Sequence, residues 1–165
     1  MGRIGRAVAD RARSFGMKIH YHNRSRLNPD LEKDATYHKT FESLFSVSDF
    51  LSINCPVTQE TKHIINKKTL KHFPDGAVIA NSARGDMIDD DAMAGALKSG
   101  KIFGLGLDVY NGEPDIHNEY LTLPNVFVLP HLGSATKKTR TAMADLAISN
   151  IEEYFRTGKC KNTVN

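Results

Sequence analysis

The sequence predicts an α/β domain built on a doubly wound parallel sheet. Short, continuous apolar runs at residues 76–80, 102–107 and 126–129 are each followed by turn residues, which is how strands buried on both faces read. Segments of helical period lie between them, and strand alternating with helix is the pattern of a parallel sheet covered on both sides. The turns after those runs also carry reactive groups: Arg84 in Asn81-Ser82-Ala83-Arg84-Gly85, Asp108 and Glu113 after the second run, and Pro130-His131 after the third. Open parallel sheets bind ligands at the carboxyl ends of their strands. Arg84, Glu113 and His131 are therefore expected on one rim.

Taken in order, residues 1–15 form a helix with Ile4, Val8 and Ala12 on one face, closed by Gly16, a residue suited to a helix C-terminus. A strand follows at 17–22, then a polar connection at 27–34 that contains Pro29. A short strand at 35–38 leads into a helix at 40–46 bearing Phe41, Leu44 and Phe45. The strand at 49–54 is stopped by Cys55-Pro56, because proline disfavours its continuation. The loop at 56–62, which includes Thr61, sits where it could cover a bound ligand. A short helix is expected at 66–72 and an amphipathic one at 89–99, with Met93, Ala96 and Leu97 inward and Gly100 as its stop. Residues 112–123 read as irregular. A long last helix over 135–156 carries Met143, Leu146, Ala147, Asn150, Ile151 and Tyr154 on successive turns.

Composition narrows the function. A chain of 165 residues with 40% hydrophobic and 25% charged residues is long enough for a real core and ordinary in balance. The net charge of +3 is small and dispersed, which does not suggest nucleic acid. Cys55 and Cys160 follow no metal or disulfide spacing, so a reducing, cytoplasmic compartment is expected. No run of about 18 apolar residues and no leader pattern points to a membrane or to export.

The rim residues suit one kind of chemistry. A histidine gives or takes a proton near neutral pH, and a paired glutamate fixes its tautomer and favours the imidazolium form. An arginine presents a planar fork that matches a carboxylate. Together they fit proton transfer to a carbonyl oxygen on a substrate that also carries a carboxylate. The hydride source is hinted at by Gly2-Arg3-Ile4-Gly5, which has the spacing of the second and third glycines of a dinucleotide phosphate loop. At the end of the next strand, where sites for the unphosphorylated cofactor place an acid, stands Asn23-Arg24-Ser25-Arg26. Arg24, Ser25 and Arg26 fit a 2′-phosphate, and NADP is the working expectation with NAD second. The alternative is a basic, solvated turn.

With these residues laid out, the chain resembles the D-isomer-specific 2-hydroxyacid dehydrogenases, most of all the glyoxylate/hydroxypyruvate reductases. Residues 2–5, 49–61, 81–91, 101–108, 113–114 and 129–136 match in the family's order and near its spacing. The resemblance implies a Rossmann-like NAD(P)-binding domain with Arg84 binding the substrate's carboxylate and carbonyl, His131 as acid/base and Glu113 as its partner. It implies that Asp108 contacts the nicotinamide end and that Cys55, Pro56, Ser82, Ala83, Gly133 and Ser134 line the cofactor. It also implies a homodimer acting on a small 2-keto or 2-hydroxy acid, with neither nucleic acid nor membrane as partner. A competing reading is a dinucleotide-sensing module of the same fold that does not catalyse.

Family members also have a substrate domain, and their first strand would precede Met1. Residues 1–165 are thus expected to be the dinucleotide-binding domain alone, shortened at its N-terminus, with little turnover by itself. The sheet would then close around the gap, receive a strand from elsewhere, or belong to a longer polypeptide, and the last is the expectation, with Met1 an internal methionine.

Overall fold

The computed structural model describes residues 1–163; Val164 and Asn165 lie outside the described residues. The described residues form two compact units, Met1–Pro130 and the segment from His131 onward.

In the first unit, α1 (Arg3–Ser14) ends at Phe15, and Gly16 follows with φ 74°, a left-handed conformation that glycine adopts without strain. Its buried residues are Gly5 and Ala9, while Ile4 and Val8 are exposed. Because Met17 N–H still donates to Ala12 O, β1 (His20–His22) starts later than the residue pattern predicts. The connection that follows holds a one-turn helix, α2 (Pro29–Glu32), with Pro29 at its first turn, where a missing N–H costs nothing. β2 (Thr36–His38) then pairs with β1 in parallel, His20 against Thr36 and His22 against His38. α3 (Phe41–Phe45) is capped by Thr40, whose hydroxyl accepts from Ser43 N–H.

The second sheet consists of β3 (Phe50–Ile53), β4 (Ala77–Asn81), β5 (Ile102–Leu107) and β6 (Val126–Val128), all parallel and adjacent in that order. Register puts Ile53 beside Asn81, Asn81 beside Leu107 and Leu107 beside Val128. The four carboxyl ends therefore form one row. Below it, Ile79, Ile102, Met87, Met93 and Ile65 are fully buried, each contributing on the order of 2 kcal/mol of apolar burial. α4 (Asp90–Lys98) closes this core with Met93, Ala94, Ala96 and Leu97, and Asp89 caps it by accepting from Ala92 N–H.

The helix expected over 66–72 shrinks to a 3₁₀ turn, Thr69–His72. The Asn66 carboxamide accepts from Lys68 and Thr69 N–H, and the Thr69 hydroxyl donates to Ile64 O. Such local bonds compete with the helical ladder. A second 3₁₀ turn, Asn118–Leu121, orders part of the stretch read as irregular.

The parallel α/β class holds, but the strands form two sheets, not one. The sheet does not close up: β1 and β3 are edge strands facing an apolar cleft of about 730 Å³, lined by Ala9, Tyr21, Phe45, Phe50 and Ile53 among others. In the second unit, α5 (Lys137–Thr157) is capped by the Thr136 hydroxyl on Thr139 N–H and ends at Gly158 with φ 70°. Among the described residues no helix is long and apolar enough to cross a membrane.

Glycines make a two-sided test of the packing. A Cβ on Gly85 would overlap the carbonyl carbon of Tyr110, so Gly85→Ala must push the loops after β4 and β5 apart. The expected cost is about 1–3 kcal/mol in urea denaturation. Gly95 lies on the exposed face of α4, with open space where a Cβ would stand. Gly95→Ala is expected to stabilise by roughly 0.5–1 kcal/mol.

The contact between β1 and β2 is sensitive to pH. His20 Nδ1 and His38 Nε2 are 2.9 Å apart, so one ring must donate and the other accept, and two imidazolium ions are excluded. Burial, then His20, holds His38 below its ordinary 6.5. The unfolded chain therefore binds the proton more readily, and this contribution to stability is complete above that value and lost as pH falls below it. The melting temperature should drop between about pH 7.5 and about pH 5.5, and His38→Gln should flatten that slope.

Candidate functional site

The row of strand ends positions the predicted residues of the first unit. Asn81, the last residue of β4, is 1% exposed. Its carboxamide donates to Arg84 O at 2.7 Å and accepts from Ala83 N–H at 3.0 Å. A buried amide must be paired, and here pairing shapes the Ser82-Ala83-Arg84 turn. Ser82 and Arg84 are exposed at its crest, with Arg84 Nη1 donating to Ala83 O at 2.5 Å. Most of the guanidinium's donors stay directed outward. The 3₁₀ turn Gly85–Met87 then carries the chain back into the core.

The loop after β5 is held against that turn. Asp108 N–H donates to Asn81 O at 3.0 Å, and Gly85 meets the backbone of Tyr110 and Asn111 with no room for a side chain. Glu113 turns back so that its Oε1 accepts from Tyr110 N–H at 3.2 Å, and the Glu113–Pro114 peptide bond is cis. Arg84's neighbour and Glu113's partner thus meet at one residue, Tyr110. Of the three residues expected on one rim, Arg84 and Glu113 lie on the adjoining loops after β4 and β5, with Asp108 beside them, whereas His131 belongs to the second unit.

Asp90 braces the same loop from below. Its Oδ2 accepts from the Asn111 carboxamide at 2.7 Å and its Oδ1 from the Tyr120 hydroxyl at 2.9 Å, while Asn111 also donates to Ile88 O. Burial, and next the charge of Asp90, pushes the Tyr120 phenol well above its usual range, so Tyr120 stays a donor. Asn81, Gly85 and Asp90 are the positioning residues that sequence reasoning missed. Each had a faint signal: a polar residue closing an apolar strand, a glycine directly after the key arginine, and the middle acid of Asp89-Asp90-Asp91 at a helix start.

His131, Gly133 and Ser134 belong to the second unit. His131 has φ 55°, a left-handed conformation uncommon outside glycine and concentrated at functional positions. Ala135 N–H donates to Leu132 O at 2.9 Å, a tight turn leading towards α5.

The residues expected along the cofactor divide by how their polar atoms are used. Gly2 caps α1 with open space around it, and Arg3 and Ile4 are exposed in its first turn, which holds no acid. Such an end suits an anion. Gly5 is not tightly pressed: an added Cβ would meet Asn54 Cβ at an ordinary 3.6 Å. After β1, Arg24 and Ser25 are exposed, whereas Asn23 Oδ1 accepts from the Met1 ammonium at 2.5 Å and Arg26 Nε lies on Glu32 at 3.0 Å. Cys55 packs its sulfur 3.9 Å from that of Met87, and burial pushes its thiol up, which makes it a wall beside Pro56 and no nucleophile. The Thr61 hydroxyl accepts from Thr58 N–H at 2.7 Å and donates to Pro56 O at 2.8 Å, so it staples its own loop.

Comparison with known proteins points the same way. Residues 1–133 match the family described as D-isomer specific 2-hydroxyacid dehydrogenase, NAD binding domain. The chain is 47% identical over 159 residues to 4-methyl-2-oxopentanoate reductase A of Aspergillus oryzae, covering 96% of this chain and 48% of that protein. It is 42% identical to glyoxylate reductase of Thermococcus litoralis, covering 99% of this chain and 50% of the relative. Among solved structures, the NADPH-dependent glyoxylate/hydroxypyruvate reductase of Sinorhizobium meliloti, in complex with NADP and malonate, superposes with TM-score 0.92 at 37% identity, covering 99% of this chain and 50% of that one. The chain spans about half the length of the curated relatives it matches. The parallel sheet, the loaded strand ends and these matches agree: the chain belongs to the D-isomer specific 2-hydroxyacid dehydrogenase family, as its NAD-binding domain.

Proposed function

We propose that this chain is the nicotinamide-binding half of an oxidoreductase that moves a hydride between NADPH and a small 2-keto acid of the glyoxylate or hydroxypyruvate class. The observation that carries the reading is the meeting of the Arg84 turn and the Glu113 loop at Tyr110. In the reductive direction, Arg84 holds the substrate's carboxylate and polarises its carbonyl. His131, three residues beyond the end of β6, donates the proton to that oxygen, and Glu113 orients the ring. Asp108, Ser82, Ala83, Cys55, Pro56, Gly133 and Ser134 line the cofactor. When bound, the nicotinamide supplies the hydride; these side chains bind, orient and exclude water. NADP is the favoured cofactor because Arg24 and Ser25 stand exposed beyond β1 and no acid occupies the turn. The setting is a reducing compartment, in keeping with unpaired Cys55 and Cys160, and the assembly a homodimer.

Two experiments test this. The purified 165-residue chain is expected to bind NADPH but turn over glyoxylate or hydroxypyruvate slowly, since orientation and water exclusion need both walls of a cleft. In a full-length protein carrying this domain, Arg84→Ala should lower kcat/KM by about 10²–10³-fold, followed as loss of nicotinamide absorbance. Tight cofactor binding without turnover in that full-length protein would favour sensing over catalysis.

Cofactor choice is checked separately. Arg24→Asp should weaken NADPH binding by roughly tenfold or more and spare NADH. Equal losses for both would place the phosphate elsewhere.

A further inference from the structure

The connection after β1 is organised around a buried carboxylate that the proposed reaction does not use. Glu32, at the end of α2, is 5% exposed. Its Oε1 accepts from the Tyr21 hydroxyl at 3.1 Å, and both carboxylate oxygens accept from Arg26 Nε, at 3.1 and 3.0 Å. The Tyr21 oxygen in turn accepts from Leu27 N–H at 3.0 Å. One acid thus ties the strand, the end of the connection and Arg26 together, and burying it unpaired would be costly.

The mode of pairing matters. Arg26 spends only Nε on Glu32, makes no other hydrogen bond to a described residue through its two terminal nitrogens, and leaves its side chain 67% exposed. A guanidinium held by Nε has a fixed plane and still presents the Nη pair, the fork that grips a phosphate with two parallel bonds. Lysine has no such division of donors.

We infer that Glu32 is the positioning residue for recognition of the 2′-phosphate: it clamps Arg26 by Nε so that the Nη pair, beside Arg24 and Ser25, faces the phosphate. This rests on the NADPH reading above and deepens it. Charge alone predicts the opposite dependence. Removing a carboxylate from a basic turn should strengthen binding of an anion, whereas loss of the clamp should weaken it.

The test is calorimetric titration of the chain with 2′,5′-ADP and with 5′-AMP, which carries no 2′-phosphate. The unaltered chain should prefer 2′,5′-ADP. Glu32→Gln should lower affinity for 2′,5′-ADP by about tenfold, the loss of one charged hydrogen bond, and leave 5′-AMP unaffected. In an Arg26→Ala background it should add nothing. Unchanged or tighter 2′,5′-ADP binding by Glu32→Gln, or equal losses for both nucleotides, overturns the inference. If circular dichroism shows that Glu32→Gln does not fold, Arg26→Lys decides. It keeps the charge and is expected to lose the preference, and wild-type preference in that variant overturns the clamp. A preference that survives these changes but vanishes in Arg24→Ala leaves the NADPH reading standing without the clamp. No preference in the unaltered chain removes both.

Discussion

The contact on which this half-site depends is backbone against backbone. Gly85 lies so close to Tyr110 that no side chain fits between them, and there the loop after β4 meets the loop after β5. Arg84 and Glu113 are 29 positions apart in sequence, 113 less 84, yet both are tied to Tyr110, one through its neighbour Gly85 and the other through its own carboxylate. Parallel register begins the work by aligning Asn81 with Leu107. The missing Cβ finishes it. Overpacking there would move the Arg84 turn away from Glu113, a small displacement with a large effect on the proposed reaction, which depends on orientation.

Three polar side chains, Asn81 and Glu32 buried and Asp90 half-buried, stabilise the roots of three loops in the same way. Asn81 pairs with the backbone of the Arg84 turn, Asp90 with Asn111 and Tyr120, and Glu32 with Tyr21 and Arg26. Each would be costly if unpaired, and each is satisfied only when its loop adopts one shape. The geometry of the rim is thereby fixed by groups below it. The exposed residues Arg84, Arg24 and Ser25 inherit positions they do not themselves enforce.

Much of this was legible in the chain. Strands such as Ile102–Leu107 announce themselves because burial on both faces demands unbroken apolar runs, and the glycines at 16 and 100 mark helix ends because only they take positive φ cheaply. That the loops bearing Arg84 and Glu113 would adjoin followed from the parallel strand pattern. What stayed hidden was pairwise: that Asn66 would break a helix by capping its own turn, that Thr61 would spend its hydroxyl on Pro56, that Asn23 would meet the Met1 ammonium. Side chain to backbone bonds of this kind depend on distances that periodicity does not carry. The gap between the two sheets lies where the family's first strand was expected before Met1, whereas apolar patterning alone does not say which edges meet.

The two sheets also explain why the cofactor residues fall into separate groups. Asn23 to Arg26 extend from the sheet of β1 and β2, whereas Cys55, Ser82 and Asp108 extend from the sheet of β3 to β6. Between them the edges of β1 and β3 line an apolar cleft containing none of Arg84, Asp108 or Glu113. The residues proposed for the two ends of a dinucleotide therefore stand on different sheets. In the proposed reading, Glu32 and Arg26 serve the adenine end, and Gly85 and Tyr110 the reactive end. On the function proposed above, phosphate recognition and hydride geometry draw on different parts of the chain.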